Sequence, residues 1–439
     1  DYQNTLWVGT KGDGIIKFYD YSINSDLTNI KTEKLNTSNS ALIDNTVYCM
    51  ANSKKDILWI GGEYGLNYYS YPEGKIKKVD IKDSDHSIIY IHDIHEQDSV
   101  LWLASVGKSI IKARLKWNDN QPSIDKMDRI TINNEDIGSN YFFNLYAESD
   151  SILWFANRGY GAYRVNTTTM KYESIRFSDK VNNKTLDEIL SISKKDDCMF
   201  FGTSAGLIEY RSKNDFKILD NTRGLPNNTI HGIVKDERDN SLWLSTNKGI
   251  VNYNPAQQTL RNYGLSDGLG VIEFSDGAAY KDAETDVIYL GGVNGFVTIH
   301  KNRIYDNEYM PKLVFDGLSV YGKWMNINDY LTSKGEEQIL RLKSSQNFIT
   351  LEVNAIDFLN ASNYTFMYKI DGISNQWIDN GNSNIISLTN LPHGSYKMYV
   401  KYVNRIVSKS SPEYILTLDI LPPWYLSTFA KIIYFTLGL

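Results

Sequence analysis

One hydrophobic phrase recurs seven times along the first three hundred residues: an apolar-aromatic pair, a small or glycine-containing turn, and a second apolar run. It reads Leu6-Trp7-Val8-Gly9-Thr10 with Gly14-Ile15-Ile16-Lys17-Phe18, then Leu58-Trp59-Ile60-Gly61-Gly62 with Gly65-Leu66-Asn67-Tyr68, then Leu101-Trp102-Leu103 with Ile110-Ile111. The series continues through Leu153-Trp154-Phe155, Met199-Phe200-Phe201-Gly202-Thr203, Leu242-Trp243-Leu244-Ser245-Thr246 and Ile288-Tyr289-Leu290-Gly291-Gly292. From Trp7 to Tyr289 the aromatic positions lie 43 to 52 residues apart, a period that fits a four-stranded blade. Strand-sized apolar runs broken by Gly, Asn, Asp and Lys turns are what antiparallel meanders need. The expected class is all-β, with a seven-bladed β-propeller over residues 1–305. The chain opens inside a repeat, with no initiator Met or leader, so upstream residues are expected to complete the first blade, which is short of its innermost strand.

Beyond Met310-Pro311 the spacing changes. Strands are expected over 312–321, 348–353, 364–370, 385–388, 396–403 and 414–420, a rhythm that predicts an immunoglobulin-like β-sandwich over 311–421. Pro422-Pro423 stops it, and residues 424–439, apolar to the end with a leading Trp424-Tyr425 pair, are expected to begin a C-terminal transmembrane helix. Lys431 speaks for the alternative, an amphipathic helix docked on the sandwich.

Charge and chemistry narrow the functional classes. A net charge of -6 over 439 residues gives no basic footprint, so nucleic acid is not an expected partner. Cys49 and Cys198 sit in separate repeats within apolar patterns and read as buried free thiols. Gly202-Thr203-Ser204-Ala205-Gly206 matches the hydrolase nucleophile pattern, but it falls on a strand-to-strand turn and lacks the helix that the motif requires. His92 and His95 stand three apart on a strand, where alternation parts them, and the Asp-rich turns lack a calcium loop's spacing. No cofactor, metal or catalytic residue is expected.

The repeated tryptophans read as packing between blades, because binding groups should differ between copies at one rim. In a propeller, the turn joining strands two and three and the loop entering strand one open on the same face. The turns there carry Lys11, Glu63-Tyr64, Lys108, Asn157-Arg158-Gly159-Tyr160, Asn247-Lys248 and Asn294. The entering loops carry His86, Asn140-Tyr141, Glu188, Asn228, His231 and Glu273. Candidate ligand-binding residues are Arg158, Tyr160, Tyr141, Glu188, His231, Lys248 and Glu273, a mixture suited to hydrogen bonding and stacking with a polar ligand.

Gly224-Leu225-Pro226-Asn227-Asn228-Thr229-Ile230, with Asp236 and then Ser241 to Pro255, resembles the two-component-regulator propeller repeat. Tyr368, Ile370, Gly372, Trp377, Leu391-Pro392-His393-Gly394-Ser395-Tyr396 and Asn404 resemble the triple-tyrosine domain that follows such propellers. Phe366, Met398 and Tyr402 depart from the family's usual residues, the Asn-x-x-Gly after Val403 is missing, and one set of seven repeats stands where the family usually has two. The resemblance implies the periplasmic sensor region of a hybrid two-component system. That region would bind an oligosaccharide from glycan breakdown, pair as a homodimer through the sandwich, and meet the inner membrane through the C-terminal helix. The alternatives are a propeller glycosidase or lyase, with Glu188 and Glu273 as its carboxylates, and a protein-interaction propeller.

Overall fold

The computed structural model describes residues 1, 3–22, 29–81, 89–130, 132, 140–300, 310–334, 337–357, 364–404, 409–426 and 428–437. His86, the stretch Asn302-Arg303-Ile304 and the turn directly after Asn404 lie outside them. The chain divides into two compact units, residues 1–265 with 269–304, and residues 305–439 with 266–268.

In the first unit the period seen in the sequence becomes seven successive antiparallel sheets, covering residues 6–35, 47–79, 90–130, 142–175, 189–219, 230–263 and 274–299. Sheets 2 to 6 have four strands each, in simple meander order. Sheet 1 has three strands and begins at the one carrying Trp7, so the expected inner strand is lacking among the described residues. Sheet 7 likewise has three and ends at Gly295–Ile299. The first strands of sheets 2 to 7 pack against one another in succession, as the inner strands of blades do. Sheet 1 meets sheet 7 through Phe18 and Phe296, ring centroids 6.1 Å apart, and through Tyr21 and Tyr289, also at 6.1 Å. The series therefore closes on itself.

The repeated aromatics lie between sheets. Trp59 and Trp102 are 0% and 1% exposed, and each belongs to a cluster shared with the following sheet. The indole N–H groups of Trp59 and Trp154 donate to Glu96 Oε2 at 2.6 Å and Glu148 Oε2 at 2.7 Å. The glycine of the repeated phrase has a steric cause. Gly9, Gly61, Ala104, Ala156, Gly202, Ser245 and Gly291 hold one position, two residues after the repeat's aromatic, on the strand that carries it in each sheet, all small. At three of the glycines the next sheet's inner strand passes over it: a Cβ on Gly9 would lie 2.8 Å from Val47 Cγ1, on Gly61 2.8 Å from Ile91 Cγ2, and on Gly202 2.7 Å from the Ile230 carbonyl oxygen.

The second unit holds two sheets around one core. A four-stranded sheet contains Lys323–Met325, Leu313–Val320, Ile349–Ala355 and Ile385–Leu388. The larger sheet places Tyr364–Ile370, Gly394–Asn404 and Tyr414–Ile420 side by side. Leu318, Leu351 and Ile386 from one sheet and Met398, Val400 and Leu418 from the other are all fully buried in the same cluster. All six strands expected from the sequence are present. One pairing departs from an all-antiparallel sandwich: Glu337–Leu342, which hydrophobic pattern did not mark, runs parallel to Tyr414–Ile420. Tyr402, one of the departures from the family pattern, is fully buried and its hydroxyl donates to the Pro311 carbonyl at 2.5 Å.

The stretch expected to begin a transmembrane helix starts with a short helical segment. Thr428–Leu437 is helical but spans ten residues, about 15 Å at 1.5 Å per residue. No described helix is long and apolar enough to cross a membrane.

Candidate functional site

The expected shared face exists, and backbone pairing builds it. The turn between strands two and three of one sheet bonds to the loop entering the next: Lys11 bridges Thr46, Val106 bridges Tyr141, and Arg158 bridges Glu188. Gly249 N–H donates to the Ile272 carbonyl in the same way at 2.7 Å.

On this face the inner strand of each of sheets 2 to 7 breaks register near its start. The breaks fall between Val47 and Cys49, Ile91 and Asp93, Phe142 and Asn144, Ile189 and Ser191, Ile230 and Gly232, and Phe274 and Ala279. A bulge interrupts alternation and re-aims the extra side chain. The residues so released are Tyr48, His92, Phe143, Leu190, His231 and, in sheet 7, the stretch that holds Asp276. They differ between copies, and all but Leu190 join one chain of contacts.

Tyr48 stacks on His92, centroids 4.0 Å apart and planes 18° apart. His92 meets Phe143 edge-on at 4.8 Å. The Arg158 guanidinium lies over the Phe143 ring at 4.5 Å, a cation–π contact. Arg158 then donates through Nη2 to Asp276 Oδ2. Asp276 Oδ1 is 2.5 Å from His231 Nδ1, and His231 Nε2 is 2.7 Å from Asn247 Oδ1. Sheets 2, 3, 4, 6 and 7 thus contribute to one half-aromatic, half-ionic constellation, with Arg158 joining the halves.

Its electrostatics follow from these neighbours. Both nitrogens of His231 face oxygen acceptors, so the doubly protonated ring satisfies both. Burial lowers its pKa, but the hydrogen bonds to Asp276 and Asn247 and the Asp276 charge outweigh burial and the opposing Arg158, and the net shift is upward. Burial raises the pKa of Asp276, yet its hydrogen bond to His231 and the charges of Arg158 and His231 hold it below the usual carboxylate range. His92 is pushed down to about 4 by burial first and then by Arg158, against a weaker pull from Asp276, with a smaller push from Lys11. At neutral pH it is an uncharged aromatic surface in a positive field.

Arg158 and His231, named from the sequence, are brought together through Asp276, which sequence reasoning missed. Tyr160 is not beside them. It is half-buried against the core of sheets 3 and 4, and the Arg176 guanidinium covers its ring at 4.7 Å. Tyr141 and Glu188 serve the face through backbone bridges, and Lys248 and Glu273 are exposed at its edge. Tyr48, Phe143 and Asp276 carry a signal that could have found them: each stands 11 to 13 residues before the repeat's aromatic, Trp59, Trp154 and Tyr289. His92 was weighed as half of a metal pair; among the described residues no three His, Cys, Asp or Glu side chains could hold an ion. The Ser204 turn joins two strands, and its N–H donates to the Glu188 carbonyl at 3.2 Å. An open cleft of about 470 Å³ between sheets 6 and 7, lined by Val234, Lys235, Tyr280 and Asp286, draws on none of the ring residues.

Comparison with known proteins places these features in a wider group. Residues 357–421 match the family model of the Y_Y_Y domain. A curated relative, Histidine kinase P4 of Formosa agariphila, is 22% identical over 95% of this chain and 31% of its own length. The extracellular domain assigned to the hybrid two component system BT3049 of B. thetaiotaomicron superposes with a TM-score of 0.78 at 21% identity, over 96% of this chain and 55% of that one. The corresponding domain of BT4673 from the same organism gives 0.55 at 18% identity, over 97% and 56%. The chain therefore spans about a third of the curated relative and about half of each solved one. Over nearly its whole length it is similar to the extracellular domains of hybrid two-component systems, with a Y_Y_Y domain match in its second unit.

Proposed function

We propose that this chain is the ligand-sensing part of a hybrid two-component sensor kinase, and that it binds an oligosaccharide from glycan breakdown at the ring of bulge residues. The observation that carries the reading is the constellation itself: variable side chains, released from strand alternation at equivalent positions, meet in one contact chain. Tyr48 and Phe143 offer stacking faces for sugar rings, and Arg158, His231 and Asn247 offer donors and acceptors for the ligand's polar groups.

On this reading the chain faces the periplasm. Its second unit pairs with that of another copy, and the helix starting at Thr428 leads toward the inner membrane and the kinase. A ligand acts by favouring one arrangement of the pair over another. A glycan array with the full chain, followed by calorimetry on each hit, tests the proposal. Arg158→Ala and His231→Ala should each weaken a true ligand by about 1–3 kcal/mol through lost charge-assisted hydrogen bonds. A hit whose affinity neither variant changes would place the site elsewhere.

A further inference from the structure

The tie between Arg158 and Asp276 is unlike the other links between sheets. Lys17 to Tyr69, Trp59 to Glu96, Asn144 to Asp93 and Lys194 to Glu148 each join neighbours in the series. Arg158 belongs to sheet 4 and Asp276 to sheet 7, 118 residues away, so their bond passes over two intervening sheets. Three elements thereby build a seat for one carboxylate. The Phe143 ring holds the flat face of Arg158 and leaves its N–H edge to donate. Arg158 serves one carboxylate oxygen and His231 the other. Planar carboxylates are what a guanidinium edge is shaped to receive.

The present occupant is poorly anchored by comparison. Asp276 stands in the longest register break of the six inner strands, where Phe274 and Ala279 are paired and nothing between them is. Gly277 beside it has a φ of +69°, and the Asp276 side chain remains 38% exposed. His231 is the buried donor, its side chain 12% exposed, and Arg158, as open to solvent as Asp276, is held by the Phe143 ring, whereas Asp276 stands on a stretch of strand with no paired neighbours.

Resting on the reading that this ring is the ligand site, we propose that the ligand presents a carboxylate to Arg158 and His231, and that Asp276 is an intramolecular stand-in which it displaces. An acidic sugar, a uronate, has the required group. Exchange swaps one carboxylate for another, so the hydrogen bonds to the donors are conserved while the tie between sheets 4 and 7 is cut. The charges of Arg158 and Lys11, which reach the buried His92, add to the attraction for an anion.

The experiment is calorimetry on the full chain with trigalacturonate and with its carboxyl-reduced counterpart. Asp276→Asn empties the seat of its charge and should tighten trigalacturonate about tenfold, while Arg158→Ala should weaken it at least about tenfold because it removes the charged donor that serves one carboxylate oxygen. Asp276→Ser serves as the second emptying variant should the amide disturb folding, with melting temperature as the check. Weaker or unchanged trigalacturonate binding in both Asp276 variants, no trigalacturonate binding by any form, or equal binding of the carboxyl-reduced sugar by the native chain overturns the inference. Binding of the reduced sugar that still depends on Arg158 and His231 would leave the ring as the ligand site and remove only the carboxylate. Binding indifferent to both residues would remove the ring itself.

Discussion

Gly202→Ala tests the steric argument on which the assembly of the sheets rests. The new methyl carbon would stand 2.7 Å from the Ile230 carbonyl oxygen and closer still to Ser191 Oγ, whereas ordinary contact begins at 3.4 Å. Ser191 can turn away, but it then gives up its 3.3 Å hydrogen bond to that same carbonyl, at roughly 0.5–1.5 kcal/mol. The carbonyl cannot turn, so sheets 5 and 6 must part by roughly 0.7 Å, an overpacking strain of about 1–3 kcal/mol. Against this stands a gain of about 0.4–1 kcal/mol, because alanine leaves the unfolded chain fewer conformations. The net expectation is a loss of about 1–3 kcal/mol, or a melting temperature lower by about 2–5 °C for a unit of this size. Gly270→Ala is the control, since nothing lies within 4 Å of its Cβ. Thermal unfolding followed by circular dichroism reads both. The reasoning fails if Gly202→Ala melts within about 1 °C of the native chain, or if Gly270→Ala falls as far.

Three further expectations concern single groups. His231 has a folded pKa above its unfolded value, so the stability it contributes is fully present below about pH 6.5 and is lost as pH rises through the folded pKa; Asp276→Asn should remove that dependence and lower the imidazole pKa measured by NMR. His92 has the opposite sign: with a folded pKa near 4 it takes up a proton less readily than the unfolded chain, so stability falls as pH drops from about 6.5 toward 4. Its ring-proton shifts should stay constant down to about pH 5, and a midpoint near 6.5 would contradict its burial beside Arg158. Trp154, 3% exposed, should cost roughly 3–5 kcal/mol when replaced by alanine while leaving ligand affinity in the remaining folded protein unchanged; a stability change under about 1 kcal/mol in chemical denaturation would remove it from the core.

The fold was legible because its determinants repeat. Seven aromatic phrases in register predicted seven sheets, and the short lead-in before Leu6 predicted the three-stranded first one. The candidate site was only half legible. Arg158 and Asn247 sit in turns, where sequence reading looks for variation. Tyr48, Phe143 and Asp276 sit in strands, where simple alternation assigns a side chain to one of two packing faces and gives no warning that a bulge will free it. Tyr160 misled for the converse reason, since a turn aromatic has enough apolar surface to fold back onto the core, and Arg176 covers what remains. Glu337–Leu342 went unseen because its partner, Tyr414–Ile420, is more than seventy residues away and pairs in parallel, a contact that local pattern does not announce.

The most direct test of the account is a crystal structure of the chain with an oligosaccharide selected on the array. The account predicts sugar density at the ring, with a pyranose face against Tyr48 or Phe143 and an oxygen within hydrogen-bond distance of Arg158. Density in the cleft between sheets 6 and 7, against Lys235 and Tyr280, or on the second unit, with the ring contacts unchanged, would contradict it.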